Sequence, residues 1–262
     1  MSQYPFTHIE HCVYNNTLLE ETQVAFVFSK EGERVSVPAS AQEGVSMFFK
    51  RFFNLDHSLD EYLSKESITV SNKELGIGYE FGTKYTLLRF SRKKYHSFLE
   101  SVPQYLVPMK WFVFKTLDKK KVLNLLVRKT NVLPFRIDNL EVFKQHPEIV
   151  LETVFKKHFL DLPVVKKESG VPGALLEVVD REFRFGGRHL LLRTGFAVPK
   201  DGDDRYFLIF DMALQNDGDK STEEGSIDTT LLEMNDVLFD AFHWCMSDKM
   251  IDMMKGGSKP NE

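Results

Sequence analysis

The sequence FRFGGRHL, residues 183–190, carries the pattern on which the predicted fold depends. Two consecutive glycines between two strand-like runs are typical of a β-hairpin, because a two-residue turn of this kind needs positive backbone φ angles. With Gly186 and Gly187 in the turn, Phe185 pairs with Arg188, and the register of both strands follows. Side chains alternate across a strand, so this register predicts one apolar face and one polar face.

The polar face of this hairpin is the candidate binding surface. The register places His189 opposite Arg184 and Arg193 opposite Asp180, and a third strand at residues 205–214 brings Asp211 beside Arg193. We use the name polar sheet face for Glu182, Arg184, His189, Arg193 and Asp211. The alternative is an ordinary solvated face, stabilised by cross-strand charge pairs that contribute only ~0.2–1 kcal/mol each.

The same periodicities, followed outward along the chain, predict an α+β protein made of two consecutive β-α-β-β-β-α units. The predicted units are residues 1–107 and 108–255, followed by a disordered tail at 256–262. Their strands would form a curved antiparallel sheet with helices on one face, in a TBP-like arrangement. The alternative is a single helix-grip domain, in which the sheet wraps the long C-terminal helix.

Several individual elements follow from local patterns. A capping box at Ser40 and Glu43 predicts a helix at residues 40–53, and Ser91 is predicted to cap a helix that ends before Pro103. Strands are predicted at residues 22–28, 67–71, 77–81, 84–90, 111–117 and 122–132. A helical turn is predicted at 60–65, helices at 140–146, 147–160 and 228–254, and a mobile polar loop at 215–226.

Composition indicates a cytoplasmic protein. The chain has 262 residues, of which 42% are hydrophobic and 23 are phenylalanine, so it can bury a full and strongly aromatic core. Its two cysteines fit a reducing compartment. No apolar run approaches the ~20 residues that a membrane-spanning helix needs, so no membrane association is predicted. The net charge of −4 does not favour a general nucleic-acid binder.

The C-terminal sequence resembles a sporadically distributed prokaryotic family of unassigned function. The resemblance lies in residues 208–211, Leu231-Leu232, Phe239 and Phe242, Ser247-Asp248-Lys249 and Met253-Met254, and residues 21–28 look like the family's opening strand. It implies a bacterial or archaeal cytoplasmic protein, of the kind found in horizontally exchanged genes such as defence cassettes. It supplies no catalytic residues.

Two groups of residues are candidates for chemistry. His8, His11 and Cys12 have the types and proximity of a zinc site, with His243 and Cys245 as distant partners. Asp236, Asp240, His243 and Ser247 form one stripe of the predicted last helix, where a histidine beside a carboxylate can act as a general base. The alternatives are a loose N-terminal arm and an ordinary solvated helix face, and we expect neither a bound metal nor a cofactor.

These patterns lead to one preferred function and two alternatives. We expect a non-catalytic module that binds a protein partner or a small ligand on the polar sheet face. Nucleic-acid binding is the first alternative, because basic residues could line one sheet surface; these are Arg89, Arg92, Lys93, Lys94, Lys115, Lys119, Lys120, Lys121, Arg128, Lys129, Arg184, Arg188 and Arg193. A hydrolytic enzyme with a His/Asp or metal site is the second. The methionine-rich C-terminal helix is either core or a partner surface, so a homo-oligomer is an alternative to a monomer.

Overall fold

The structure is a computed structural model of the whole chain. It describes residues 4–29, 60–63, 67–72, 76–91, 97–199, 205–216 and 221–256. The helix predicted at 40–53 lies outside these residues, as do Arg92, Lys93, Lys94 and most of the predicted tail.

Twelve strands and six α-helices lie within the described residues. The strands are β1 (Leu19–Val27), β2 (Asp60–Leu63), β3 (Ser67–Asn72), β4 (Ile77–Gly82), β5 (Tyr85–Ser91), β6 (Lys121–Val122), β7 (Asn124–Phe135), β8 (Lys166–Glu168), β9 (Val178–Phe185), β10 (Arg188–Ala197), β11 (Tyr206–Asn216) and β12 (Thr222–Glu223). The helices are α1 (Phe98–Lys110), α2 (Leu140–Gln145), α3 (Glu148–Val154), α4 (Lys157–Leu160), α5 (Ile227–Cys245) and α6 (Asp248–Met254). A π-helical segment, Trp111–Thr116, continues α1.

The chain divides into two compact units. The first unit contains Met1–Glu20, Lys129–Leu214 and Asp236–Glu262, and the second contains Glu21–Arg128 and Gln215–Asn235. The predicted division into halves 1–107 and 108–255 stays a prediction, as does the choice between TBP-like and helix-grip arrangements.

The first unit contains the predicted hairpin in its predicted register. Strand β10 pairs with β9 so that Arg188 lies opposite Phe185 and Arg193 opposite Asp180. Gly186 and Gly187 have φ angles of 55° and 75°, which is the conformation of a primed two-residue turn. The hydrogen-bonded strand order in this unit is β7-β11-β10-β9-β8.

Helices cover the apolar face of the first unit's strands. Leu190 and Leu192 of β10 are fully buried, and Phe210 of β11 lies 5.0 Å from the Phe155 ring and 5.6 Å from the Phe159 ring of the helical region. Antiparallel strands with helices packed on one side confirm the α+β prediction. Phenylalanine side chains form much of this core, as the composition indicated.

The second unit contains an antiparallel meander, β2 to β5, and has its own aromatic core. Its strand order is β2-β3-β4-β5-β1-β7, and Val24 and Phe26 of β1 are completely buried. The Tyr79 hydroxyl donates to the Tyr105 carbonyl at 2.9 Å, so α1 is fixed to β4 by a hydrogen bond as well as by packing.

Two element types were predicted wrongly in this unit. Asp60–Leu63 is a strand and not a helical turn, because it pairs antiparallel with β3 from Ile68 to Ser71. Trp111–Thr116 is π-helical and not a strand. Phe112, Val113 and Phe114 are consecutive buried residues, and a short run that is apolar on every side looks the same in a buried strand and a buried helix.

The helix predicted to begin at Ser91 begins later. Ser91 belongs to β5, where its N–H donates to the Gly76 carbonyl at 2.7 Å. The cap is Ser97, whose hydroxyl accepts from the Glu100 N–H, and α1 continues through Pro103 rather than ending before it. Leu99 lies on the solvent side of this helix, because it is 64% exposed.

The helices predicted at 147–160 and 228–254 are each interrupted. The helix predicted at 147–160 breaks at Phe155, which forms a β-bridge with Met246 at the break in the helix predicted at 228–254. Ser247 caps α6 and donates to the Thr153 carbonyl. The segment predicted as a loop at 215–226 contains β12, paired with β6, and a 3₁₀ turn. Residues 217–220 lie outside the described residues.

Candidate functional site

The polar sheet face is built around a bidentate ion pair. The Nε and Nη2 atoms of Arg193 donate to the two carboxylate oxygens of Asp180 at 2.7 and 2.8 Å. Arg193 also lies 3.5 Å from Glu168 of the neighbouring edge strand β8. The side chain of Asp180 is only 5% exposed, whereas that of Arg193 is 35% exposed. Hydrogen bonding to Asp180 raises the pKa of Arg193 further, with added attraction from Glu168 and Asp211.

A second charge cluster lies toward the turn of the same hairpin. Glu182 accepts from His189 Nε2 at 2.8 Å and lies 3.7 Å from the Arg184 guanidinium. His189 is largely covered, but the Arg184 side chain is 63% exposed. Glu182 therefore fixes the histidine and presents the arginine to solvent.

Asp211 completes the face from strand β11. It is buried and accepts from the Thr130 hydroxyl at 3.2 Å, and its charge acts on Arg193. The structure therefore brings together the predicted set on one side of the sheet. The cross-strand pairs are those expected of a solvated sheet face, and the choice between that interpretation and a binding surface stays a prediction.

An N-terminal arm, residues 4–17, forms a second site on α5. Its anchor is Asp240, a buried carboxylate in the C-terminal half of α5. The Tyr4 hydroxyl donates to Oδ2 at 2.5 Å, the Ile9 N–H donates to Oδ1 at 2.8 Å, and His8 Nδ1 lies 3.3 Å from Oδ2. Both carboxylate oxygens are therefore engaged by the arm, which gives Asp240 an anchoring role that the helix pattern alone did not predict.

Two further histidine contacts extend the arm along α5. His11 stacks on Phe239 with ring centroids 4.2 Å apart, and its Nε2 atom lies 3.1 Å from Asp236. The Tyr14 hydroxyl hydrogen-bonds to His243 Nε2. Three residues of the stripe predicted on the last helix each have a specific partner in the arm: Asp236, Asp240 and His243. Ser247, predicted on the same stripe, belongs instead to the cap of α6.

The ring of Phe6 occupies an aromatic pocket and so anchors the arm. It is buried and makes edge contacts with Phe183, Phe185 and Trp244 at centroid distances of 5.5 to 5.9 Å. Tyr4 packs on Phe185 in the same manner. Edge-to-face pairs contribute ~0.5–1.5 kcal/mol each beyond the area they bury. We call the receiving surface the arm groove: Phe183, Phe185, Asp236, Phe239, Asp240, His243 and Trp244.

Burial shifts the pKa values of the arm contacts so that the uncharged form of each side chain is favoured. Burial lowers the pKa of His243, with repulsion from Lys255 and Lys156 adding to the shift and Asp240 opposing it. Burial also lowers the pKa of His11, against the attraction of Asp236. Burial raises the pKa of both Tyr4 and Tyr14. Docking therefore favours the neutral imidazoles of His11 and His243 and the protonated phenols of Tyr4 and Tyr14, which suits Tyr14 as donor and His243 as acceptor.

Lys129 of β7 lies near the same site. Burial lowers its pKa to about 8, although Asp236 opposes the shift. Lys129 alternates with Thr130 along β7, and the Thr130 hydroxyl donates to Asp211, whose charge acts on Arg193. Lys129 and Arg193 therefore lie on opposite faces of the sheet, so these two of the basic residues named for the nucleic-acid alternative do not share a surface.

The predicted zinc candidates do not converge. His8 contacts Asp240, His11 contacts Asp236, and Cys12 is exposed. Within the part of the chain that the structure describes, no cluster of three or more His, Cys, Asp and Glu side chains could hold a metal ion. Cys245 is buried, and Met246, Met250 and Met254 are core residues.

Sequence reasoning missed Tyr4, Phe6 and Tyr14, and it named Lys129 only as one of many basic residues. The arm contacts join residues about 230 positions apart, and no local periodicity encodes such pairing. The only available signal was the density of aromatic and histidine residues in an arm without helix or strand periodicity.

Acidification should release the arm. The pKa values of His11 and His243 are lowered from 6.5 in the docked state. The protein with its arm released therefore binds more protons below that pH. Docking is strongest above pH 6.5 and weakens as the pH falls. Hydrogen exchange at the Ile9 amide should therefore rise, relative to the core amides of β10, as the pH is lowered. A ratio that is constant with pH would contradict this account.

Comparison with known proteins adds little to this geometry. No protein-family model matches the chain, and no curated protein matches it. Among solved structures, the chain is similar to a rolling circle replication initiator protein from Geobacillus stearothermophilus, at 9% identity over 77% of this chain and 75% of that chain, with a TM-score of 0.25. We base no argument on a likeness of that size. Among the described residues, no helix combines the length and apolarity needed to cross a membrane.

Proposed function

We propose that this protein is a non-catalytic binding module that captures a protein partner on the polar sheet face. The observation that carries the proposal is the arrangement around Glu182, which holds His189 at 2.8 Å and leaves Arg184 63% exposed. A charge fixed in position before binding loses little conformational entropy on association. The face therefore suits recognition of a charged protein surface.

The ion pairs of Arg193 on the same face support a role in binding a protein partner. Asp180 and Glu168 orient Arg193, and the hairpin register places Arg193 directly opposite Asp180. Charges of alternating sign favour specificity and association rate more than raw affinity. The partner surface should therefore carry both signs of charge, with an acidic group opposite Arg184.

Charge reversal at Arg184 tests the proposal. Arg184→Glu should reduce partner capture from an extract of the protein's source cells by about tenfold or more, because it places like charges at the contact. Capture is measured by quantitative mass spectrometry on the immobilised protein. The matched control is Lys157→Glu, an equal reversal at a 90% exposed residue of α4. Equal capture by the wild type and Arg184→Glu would contradict the proposal.

The remaining expectations belong to the same proposal. A cytoplasmic location and a place in a prokaryotic defence or mobile-element system are supported by the resemblance of the C-terminal sequence to a sporadically distributed family. The nucleic-acid alternative makes a different prediction: DNA or RNA would be retarded in a gel shift at low salt and released as salt is added. Protein capture without such a shift favours the partner-binding function.

A further inference from the structure

The arm groove recognises a short extended segment by features that can be read from the structure. A buried carboxylate receives a phenol, a backbone N–H and an imidazole. An aromatic pocket receives a phenylalanine ring two residues after the tyrosine. A second carboxylate and a histidine receive the side chains of His11 and Tyr14. The ligand chemistry is therefore that of the sequence YPFTHIEHCVY, residues 4–14.

The arm is attached to the groove mainly by side chains. Residues 4–14 contain no helix or strand, and regular structure begins with β1 at Leu19. Beyond Tyr14, Asn15 and Asn16 bond to carbonyls at the end of α6. A segment held in this way can leave and be replaced by an identical segment without changing the fold of either element.

We propose that the arm groove also binds the arm of a second copy of this chain, giving an arm-exchanged dimer. The copy's arm offers the same donors to Asp240 and the same ring to the aromatic pocket, so exchange conserves every arm contact. Reciprocal exchange of an identical element is a low-cost route to dimers. The cost is the lost translational freedom of one molecule, so the arm's own chain is preferred at low protein concentration.

Two complementary full-length variants test arm exchange without competition from the intramolecular arm. The groove variant, Asp240→Ala with Trp244→Ala, keeps an intact arm but loses its receiving site. The arm variant, Tyr4→Ala with Phe6→Ala, keeps an intact groove but loses its anchors. We expect the tagged arm variant to retain about tenfold more groove variant than another copy of itself. Light scattering should show a dimeric mass in the mixture and a monomeric mass for each variant alone.

The outcome that overturns the proposal is a mixture that associates no more than either variant alone. If the groove variant does not fold, as judged by its melting transition, a synthetic peptide of residues 4–14 replaces it. That peptide should bind the arm variant, and a peptide with Tyr4 and Phe6 replaced by alanine should not. Equal binding of the two peptides would also overturn the proposal. None of these readouts depends on the polar sheet face.

Discussion

Arg193→Met should lower the free energy of unfolding by about 3 kcal/mol, because it leaves the Asp180 carboxylate buried without its partner. The side chain of Asp180 is 5% exposed and loses both short hydrogen bonds from Arg193. The partial exposure of Arg193 keeps the expected loss at the lower end of the range for buried pairs. Chemical denaturation monitored by circular dichroism measures the change.

Two controls separate the ion pair from the loss of a side chain. Arg184→Met removes an arginine that is 63% exposed and should change stability by less than about 0.5 kcal/mol. The double variant Arg193→Met with Asp180→Leu removes both charges and should recover most of the loss, since a buried pair replaced by apolar residues is often neutral. A single Arg193→Met variant as stable as the wild type would contradict the role of the pair. For this reason Arg184, rather than Arg193, is the residue to change when binding is tested.

Asp240→Ala should detach the N-terminal arm. It leaves the Ile9 N–H and the Tyr4 hydroxyl without their acceptor, and hydrogen bonds to a charged group are worth ~1.5–3 kcal/mol each. We expect the free energy of arm docking to fall by about 3 kcal/mol, seen as faster hydrogen exchange at the Ile9 amide. Global unfolding should change less, because the arm can open while the sheet and helices stay folded.

Conservative substitutions at the same contact give graded controls. Asp240→Asn keeps one oxygen acceptor for the Ile9 N–H and should cost less than Asp240→Ala. Tyr4→Phe removes one hydroxyl while keeping the ring contact with Phe185, and should cost about 1.5 kcal/mol. Wild-type protection of the Ile9 amide in Asp240→Ala would contradict the anchoring role of this carboxylate.

The polar sheet face was predictable because its geometry is local. Gly186 and Gly187 fix the turn, and the alternation of side chains then places His189 opposite Arg184 and Arg193 opposite Asp180. Each of these pairings depends only on the two strands that flank the turn, and Asp211 alone was placed from the third strand. The sequence could not show that Asp180 and Asp211 are buried on the polar side, since burial there depends on strands β8 and β11.

The arm site was predictable only in fragments. His8, His11, Asp236, Asp240 and His243 were each named from the sequence, but as parts of two unrelated hypotheses. The arm histidines and the helix residues meet through contacts between positions about 230 residues apart. Such contacts are set by tertiary packing rather than by a local sequence pattern. The wrong strand at 111–117 and the wrong helical turn at 60–65 have the same cause, because packing decided the structure of short runs whose local signals are ambiguous.

The central claim is that the ordered charges of the polar sheet face bind a protein partner. The most direct test is the association rate of the captured partner with wild type and with Arg184→Glu, measured by surface-based interferometry as salt is added. The account predicts a wild-type rate that falls with ionic strength, because exposed charges are screened, and a slower rate for Arg184→Glu at low salt. Equal rates for the two proteins at every salt concentration would contradict it.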